Sequence, residues 1–179
     1  NLAEVDKQFQ QASKTVKNIT RTLRSQPRET LQQAEELVGQ MVSAMLGEHT
    51  VLMHALNGKA GEDAYFHSLN VTVLSIMLAR ILNFSREDSL QLGLGALLHD
   101  IGKLEIPSKI LLKTEPLNRA EQNFLHLHCE YGIKLAKPME LGEAAQRIIR
   151  EHHEFCDGTG YPKQLKGEQL SPLSRVVSI

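Results

Sequence analysis

The sequence predicts an all-α fold, and three observations carry that reading. Apolar residues recur at intervals of three and four rather than two, and no alternating run of strand length appears. Aromatic residues make up only 4% of the chain and Trp is absent. Hydrophobic residues at 41% and charged residues at 23% of 179 positions suit one globular domain with an appended helical arm, and exclude a disordered or collagen-like chain. Twenty Lys and Arg stand against 21 Asp and Glu, a formal charge of −1 with His neutral, which argues against binding a nucleic-acid polymer or a polybasic attachment to membranes. Cys129 and Cys156 are too few for a disulfide framework or a thiolate metal site, so a reducing, cytoplasmic compartment is expected. The most apolar stretch, Val71 to Leu82, is too short to cross about 30 Å of hydrocarbon and reads as a core helix, so no membrane segment is expected in this chain. The chain opens at Asn1 without Met or a signal pattern and stops inside the apolar run Val176 to Ile179, and so reads as an excerpt of something longer.

The elements follow in order. Residues 1–24 carry Leu2, Val5, Phe9, Val16, Ile19 and Leu23 mostly three, four or seven apart, the pattern of an amphipathic connector helix. Pro27 suits the first turn of a second helix, along which Leu31, Ala34, Leu37, Val38, Met41, Val42, Met45 and Leu46 form one stripe. Asn57 to Gly61 reads as a loop, and Asp63 to Leu82 as a helix. Ser85-Arg86-Glu87-Asp88 resembles a capping box opening a helix that runs into His99-Asp100. Gly102, Pro107 and Pro116 mark a largely irregular segment. Asn118 to Glu121 looks like a further cap, starting a helix that reaches about Lys137 before Pro138 ends it. Glu143 to His153 forms the last clear helix, and Asp157-Gly158-Thr159-Gly160-Tyr161-Pro162 is a loop.

Histidines stand on the apolar faces of these helices. His67 continues the stripe of Val71, Leu74 and Leu78, and His128 shares a face with Phe124, Tyr131 and Leu135, so both rings are expected to point inward. His99-Asp100 ends the apolar run Leu92 to Leu98, and His152-His153 follows Ala145, Ile148 and Ile149. Helical neighbours diverge by about 100°, which is poor geometry for one ion but suits two ions roughly 3.5–4 Å apart. A multinuclear centre is therefore expected, and mixed imidazole–carboxylate shells suit Fe, Mn, Ni or Zn without fixing which. Asp63, one turn before His67, has two readings: a further carboxylate ligand, or a helix N-terminal carboxylate favoured by the dipole. A single histidine on an apolar stripe would read as core packing, and His49 does. His54 reads as exposed and His126 as facing the rim or solvent, while Cys129 and Cys156 read as thiols outside the metal set.

These residues resemble a known family. His99-Asp100-Ile101-Gly102-Lys103, then His152-His153-Glu154, then Asp157-Gly158-Thr159-Gly160-Tyr161-Pro162 are similar to the HD-GYP subgroup of the HD metal-dependent phosphohydrolases. His67-Ser68-Leu69-Asn70-Val71 looks like its first-helix motif, and His128, four residues before Gly132, like its middle histidine, so the likeness covers residues 61–179. It implies a helical bundle around two or three divalent ions and hydrolysis of the bacterial second messenger cyclic di-GMP to pGpG, GMP or both. It implies His67, His99, Asp100, His128, His152 and His153 as metal ligands, with Asp63 where trinuclear members place a Glu. It places Lys103 on the scissile phosphate, with Asp100 bridging the ions, and sets Gly158, Tyr161 and Pro162 beside the substrate entrance or a surface for a signalling partner. Tyr161 has two readings here, stacking on guanine or packing the turn beside Pro162, and Lys103 has the alternative of an ion pair with Glu105 or Glu154. The family continues beyond the strip equivalent to Val176–Ile179 into a helix with a further Asp ligand, which this chain does not contain.

The expected organisation is an N-terminal connector or regulatory segment, residues 1–56, and an HD-GYP catalytic domain, residues 57–179. The connector would transmit a signal or join a homodimer; its plainer role is to cover the bundle. Two divalent ions suit the chemistry because a phosphodiester anion repels hydroxide, and they both activate water and neutralise phosphoryl charge. Three rivals stand beside this reading: an HD phosphohydrolase acting on another cyclic dinucleotide or nucleotide, a non-hydrolytic cyclic di-GMP receptor, and a metal-storing or oxygen-binding bundle.

Overall fold

In the computed structural model, residues 2–46 and 64–178 are described. Nine α-helices stand among them: α1 (Leu2–Thr22), α2 (Pro27–Leu46), α3 (Ala64–Ile81), α4 (Arg86–Leu98), α5 (Ser108–Leu111), α6 (Arg119–His126), α7 (His128–Ala136), α8 (Glu143–Glu151) and α9 (Pro172–Val177). Among the described residues the β pairing amounts to one isolated bridge, between Asp157 and Lys166. The all-α expectation holds. Asp63, His49, His54 and the expected loop at 57–61 lie outside the described residues.

The stripe of α2 is the spine of the core. Ala34, Leu37, Val38, Met41, Val42 and Met45 are buried, and they meet Val16 and Ile19 of α1, Val73 and Ile76 of α3, and Leu94 and Leu97 of α4 in one cluster. The expected caps are present. The Ser85 hydroxyl accepts from the Asp88 amide at 3.0 Å, and Asn118 forms a full capping box with Glu121, closing orphan donors at the starts of α4 and α6.

Four details depart from the sequence reading. The helix expected from Asn118 to about Lys137 is two helices, broken at Leu127. The segment around Gly102 and Pro107 is not irregular throughout: a 3₁₀ turn spans Ile101–Glu105 and α5 follows. The helix from Glu143 stops at Glu151, leaving His152 as its C-cap. In α3 the buried face is Leu69, Thr72, Val73, Ile76 and Ala79, while His67 and Leu74 are exposed, so the expected inward stripe is rotated. Apolar residues surround α3 on nearly every side, and its neighbours rather than its periodicity decide which face is covered. This helix is also 18 residues long and, by length and composition alone, apolar enough to cross a membrane; here it packs against α4.

Candidate metal centre

Three helix C-termini converge at the site. Each presents a histidine one or two residues beyond its last turn, where carbonyls lack helical partners. The Nδ1 of His99 lies 2.6 Å from Ala96 O at the end of α4, that of His128 2.7 Å from Leu125 O at the end of α6, and that of His152 3.0 Å from Ile149 O at the end of α8. A carbonyl only accepts, so each Nδ1 carries the proton and each neutral ring turns an unprotonated Nε2 into the cluster.

Asp100 stands at the centre, in the turn after His99. Its Oδ2 lies 3.3 Å from His99 Nε2 and 3.8 Å from His67 Nε2; its Oδ1 lies 3.4 Å from His128 Nε2 and 3.6 Å from His152 Nε2. Ligand atoms therefore form two groups, His67 with His99 and Asp100, and His128 with His152, His153 and Asp100, with Asp100 common to both. Buried Oδ1 receives no hydrogen bond from any described residue. A buried carboxylate oxygen without a donor, faced by imidazole lone pairs, fits a divalent cation, so the donor set suits the ions that the sequence implies.

The surroundings keep these groups in ligating form. Burial would raise the Asp100 carboxyl, but the Lys103 ammonium 2.7 Å from Oδ2 holds it below the usual carboxylate range. Desolvation lowers His67, His128, His152 and His153, to about 4 for His128 and about 3 for His153. His67 is the exception to the inward expectation: its side chain is 58% exposed and reaches Asp100 from the rim.

Both adjacent pairs behave otherwise than helical neighbours would. His152 and His153 serve a single group, their ring centroids 4.2 Å apart, because α8 has already ended and the divergence of about 100° no longer applies. His99 and Asp100 likewise meet in one group past the end of α4.

Two glycines permit this approach. A Cβ on Gly102 would sit 1.8 Å from His128 O, and Gly132 stands opposite, so only bare backbone lets the 3₁₀ turn cross α7 and bring Asp100 against His128. The ammonium of Lys103 lies 2.7 Å from Asp100 Oδ2, so neither expected alternative partner holds it. Glu105 instead pairs with Arg24 at 2.5 Å. The buried Glu154 carboxylate accepts from the amides of Lys163 at 2.6 Å and Leu165 at 2.9 Å, pinning the loop beyond the histidine pair.

That loop closes on the far side of the cluster. Gly158 has φ 82°, a conformation that glycine adopts freely. The Tyr161 ring stacks on His126 at 3.7 Å and 9°, and on His153 at 4.7 Å and 24°. Two rings at those separations on one face would overlap, so the imidazoles take opposite faces of Tyr161. His126, expected at the rim, is half-buried by this contact.

A cavity of about 720 Å³ opens on the other flank, where His67, Asp100 and Lys103 meet Val16, Ile19 and Thr20 of α1. Asn70 also lines it, with its buried Oδ1 unpartnered among the described residues. Gly158, Tyr161 and Pro162 are not among the residues lining that cavity. Sequence reasoning missed Asn70 and the α1 wall, which depend on tertiary packing. It also missed the parts played by Glu154 and His126; for Glu154 the signal was an acidic residue directly after two histidines and before a Gly-rich loop.

The HD domain model matches residues 3–179. The chain belongs to the HD domain family. Membership of the HD domain family implies binding of divalent metal, in agreement with the cluster around Asp100. A cyclic di-GMP phosphodiesterase of Pseudomonas aeruginosa is 33% identical over 148 residues, 82% of this chain and 36% of that protein. The 3'3'-cGAMP-specific phosphodiesterase 3 of Vibrio cholerae is 36% identical over 112 residues, 63% of this chain and 24% of that protein. This HD domain chain thus spans about a third or less of either relative. Among solved structures, the HDG"Y"P protein Bd1817 from Bdellovibrio bacteriovorus has the same fold, with a TM-score of 0.78 over 92% of this chain and 55% of that one, at 24% identity.

Proposed function

We propose that this chain is the catalytic part of a metal-dependent phosphodiesterase that hydrolyses cyclic di-GMP to pGpG, GMP or both. The observation that carries the proposal is Asp100, one carboxylate common to two ligand groups with a lysine 2.7 Å away, at the mouth of a cavity. His67, His99 and Asp100 would hold one divalent ion, and Asp100, His128, His152 and His153 another, with Fe or Mn the first expectation and Ni or Zn next. We place Asp63 as the carboxylate for a third. Divalent ions bound there supply Lewis-acid stabilisation of phosphoryl charge and a more acidic water.

The chain's own residues do the rest. Lys103, 39% exposed beside Asp100, binds the scissile phosphate and stabilises the charge that develops on its oxygens. Asp100 and the lowered histidines stay unprotonated at neutral pH and so remain available as ligands. Gly158, Tyr161 and Pro162 lie in the loop that we assign to the margin of the entrance or to a signalling-protein surface. The division into a connector of residues 1–56 and a catalytic domain of 57–179 is retained as a proposal, with the connector as the route of regulation or homodimer contact. A nucleotide second messenger as substrate also supports a cytoplasmic setting.

A second reading changes the dinucleotide and keeps the chemistry. Two relatives from Vibrio cholerae, 36% and 30% identical, are 3'3'-cGAMP-specific phosphodiesterases, which supports 3'3'-cGAMP as the competing substrate. Turnover of each dinucleotide by the Mn- or Fe-loaded protein, with products resolved by chromatography, tests both readings. Release of pGpG or GMP with the higher kcat/KM for cyclic di-GMP is the expected result. Preference for 3'3'-cGAMP would install the second reading, and saturable binding without turnover would make the protein a receptor.

A further inference from the structure

The histidines of the cluster are not held alike. His99, His128 and His152 each donate Nδ1–H to a carbonyl one turn back, which fixes ring orientation and tautomer together. Among the described residues, the His153 ring has no such carbonyl. Its orientation rests on ring contacts: His152 at 4.2 Å, His128 at 5.1 Å edge-on, and Tyr161 stacked at 4.7 Å. Tyr161 is in turn backed on its other face by His126, nearly parallel at 3.7 Å. The backbone reinforces the stack, since Tyr161 N–H donates to His153 O at 3.0 Å. A Cβ on Gly160 would meet His153 O at 2.4 Å, so the loop lies directly against the backbone of the ligand pair.

We propose that His126 and Tyr161 form a stacking clamp that orients His153 as a metal ligand, and that His126 is a positioning residue outside the ligand set. The Tyr161 ring, filled on both faces, then serves His153 and is not a platform for a purine. The inference rests on His153 being a ligand, as proposed above. A hydrogen bond donated by Nδ1–H to a carbonyl is normally the device that sets a ligating imidazole, and for His153 planar contact with the Tyr161 ring, itself backed by His126, takes its place.

The test is the affinity of the metal-free protein for Mn²⁺ in competition with a chromophoric chelator, with stoichiometry and kcat measured alongside. His126→Ala is expected to weaken the affected Mn²⁺ by roughly 10–100-fold, the usual effect of removing a group that supports a ligand. At saturating Mn²⁺ its kcat recovers and its KM is unchanged. His126→Phe, which keeps the stack and lacks ring nitrogens, is expected to restore the affinity to within about threefold of wild type, and Tyr161→Phe likewise. Tyr161→Leu keeps the backbone bond to His153 but removes the ring, and should weaken Mn²⁺ as His126→Ala does; it carries the test if His126→Ala does not fold. Unchanged affinity in His126→Ala and Tyr161→Leu overturns the clamp. Failure of Phe to replace His126 overturns it too, since a nitrogen would then be required. His153→Ala separates the two levels: wild-type affinity there removes His153 from the ligand set, whereas its loss beside an unchanged His126→Ala removes only the clamp.

Discussion

The Nε2 atoms of His128 and His152 face each other 3.1 Å apart, and with both Nδ1 atoms donating to carbonyls neither neutral ring has a proton to place between them. Two lone pairs at that separation repel, and Asp100 Oδ1 adds a third. A cation removes the conflict at once.

Metal removal is therefore expected to destabilise the fold as well as to end turnover. At a free ion concentration about a hundredfold above Kd, binding adds about 2.7 kcal/mol to the folded state. For a chain of this size that corresponds to a rise in Tm of roughly 5–10 °C. Calorimetric scans with chelator and with added Mn²⁺ check this, and coincident melts would count against the site.

The pH dependence of the metal-free protein has a definite sign. His128 and His153 are lowered to about 4 and about 3 in the folded state, whereas the unfolded chain titrates near the ordinary value of 6.5. As pH falls through 6.5 the unfolded state takes up protons first, so stability is fully present above that value and drains away toward pH 4. Urea midpoints should be flat from pH 8 to about 7 and fall below about 6.5. His128→Gln should make that fall shallower, and an unaltered slope would remove His128 from the account.

Asp100 and Lys103 touch, yet their loss should separate cleanly. Asp100→Asn removes the charge common to both groups and is expected to lower metal content by more than one ion per chain, with activity lost. Lys103→Met leaves the donors in place, so metal content should hold while kcat falls about 10²–10³-fold, the scale for losing one transition-state charge partner. Metal analysis and steady-state kinetics on the two variants decide it.

Much of this was legible in the sequence, and the remainder has physical reasons. The stripe of α2, the caps at Ser85 and Asn118, and the histidines that gather around Asp100 could be read because apolar spacing, cap chemistry and clustering are local signals. The joint behaviour of His152 with His153 was not, because it depends on α8 ending at Glu151, and helix boundaries are the least determined feature of a periodic pattern. The outward turn of His67 escaped for a different reason: α3 is apolar nearly all round, so its own sequence does not select a face. The pairing of Lys103 with Asp100, of Glu105 with Arg24, and of His126 with Tyr161 joins parts of the chain whose proximity no spacing reveals.

Gly102 makes the sharpest stability prediction. Its added Cβ would fall 1.8 Å from His128 O and 2.5 Å from Gly132 N, both main-chain atoms that no rotamer change can move aside. Relief requires the 3₁₀ turn and α7 to separate, and that separation pulls Asp100 from His128. Overpacking of a side chain typically costs about 1–3 kcal/mol, and a clash of backbone with Cβ belongs at or above the upper end, so Gly102→Ala should lose about 3 kcal/mol or more. Gly39 in the middle of α2 is the control, since a Cβ there meets nothing within 4 Å. With only helix propensity at stake, Gly39→Ala should gain about 0.5–1 kcal/mol. Opposite shifts in urea midpoint are expected from the same chemical change at the two positions. Equal shifts would mean that the close crossing of the 3₁₀ turn and α7 is not what holds Asp100 in place.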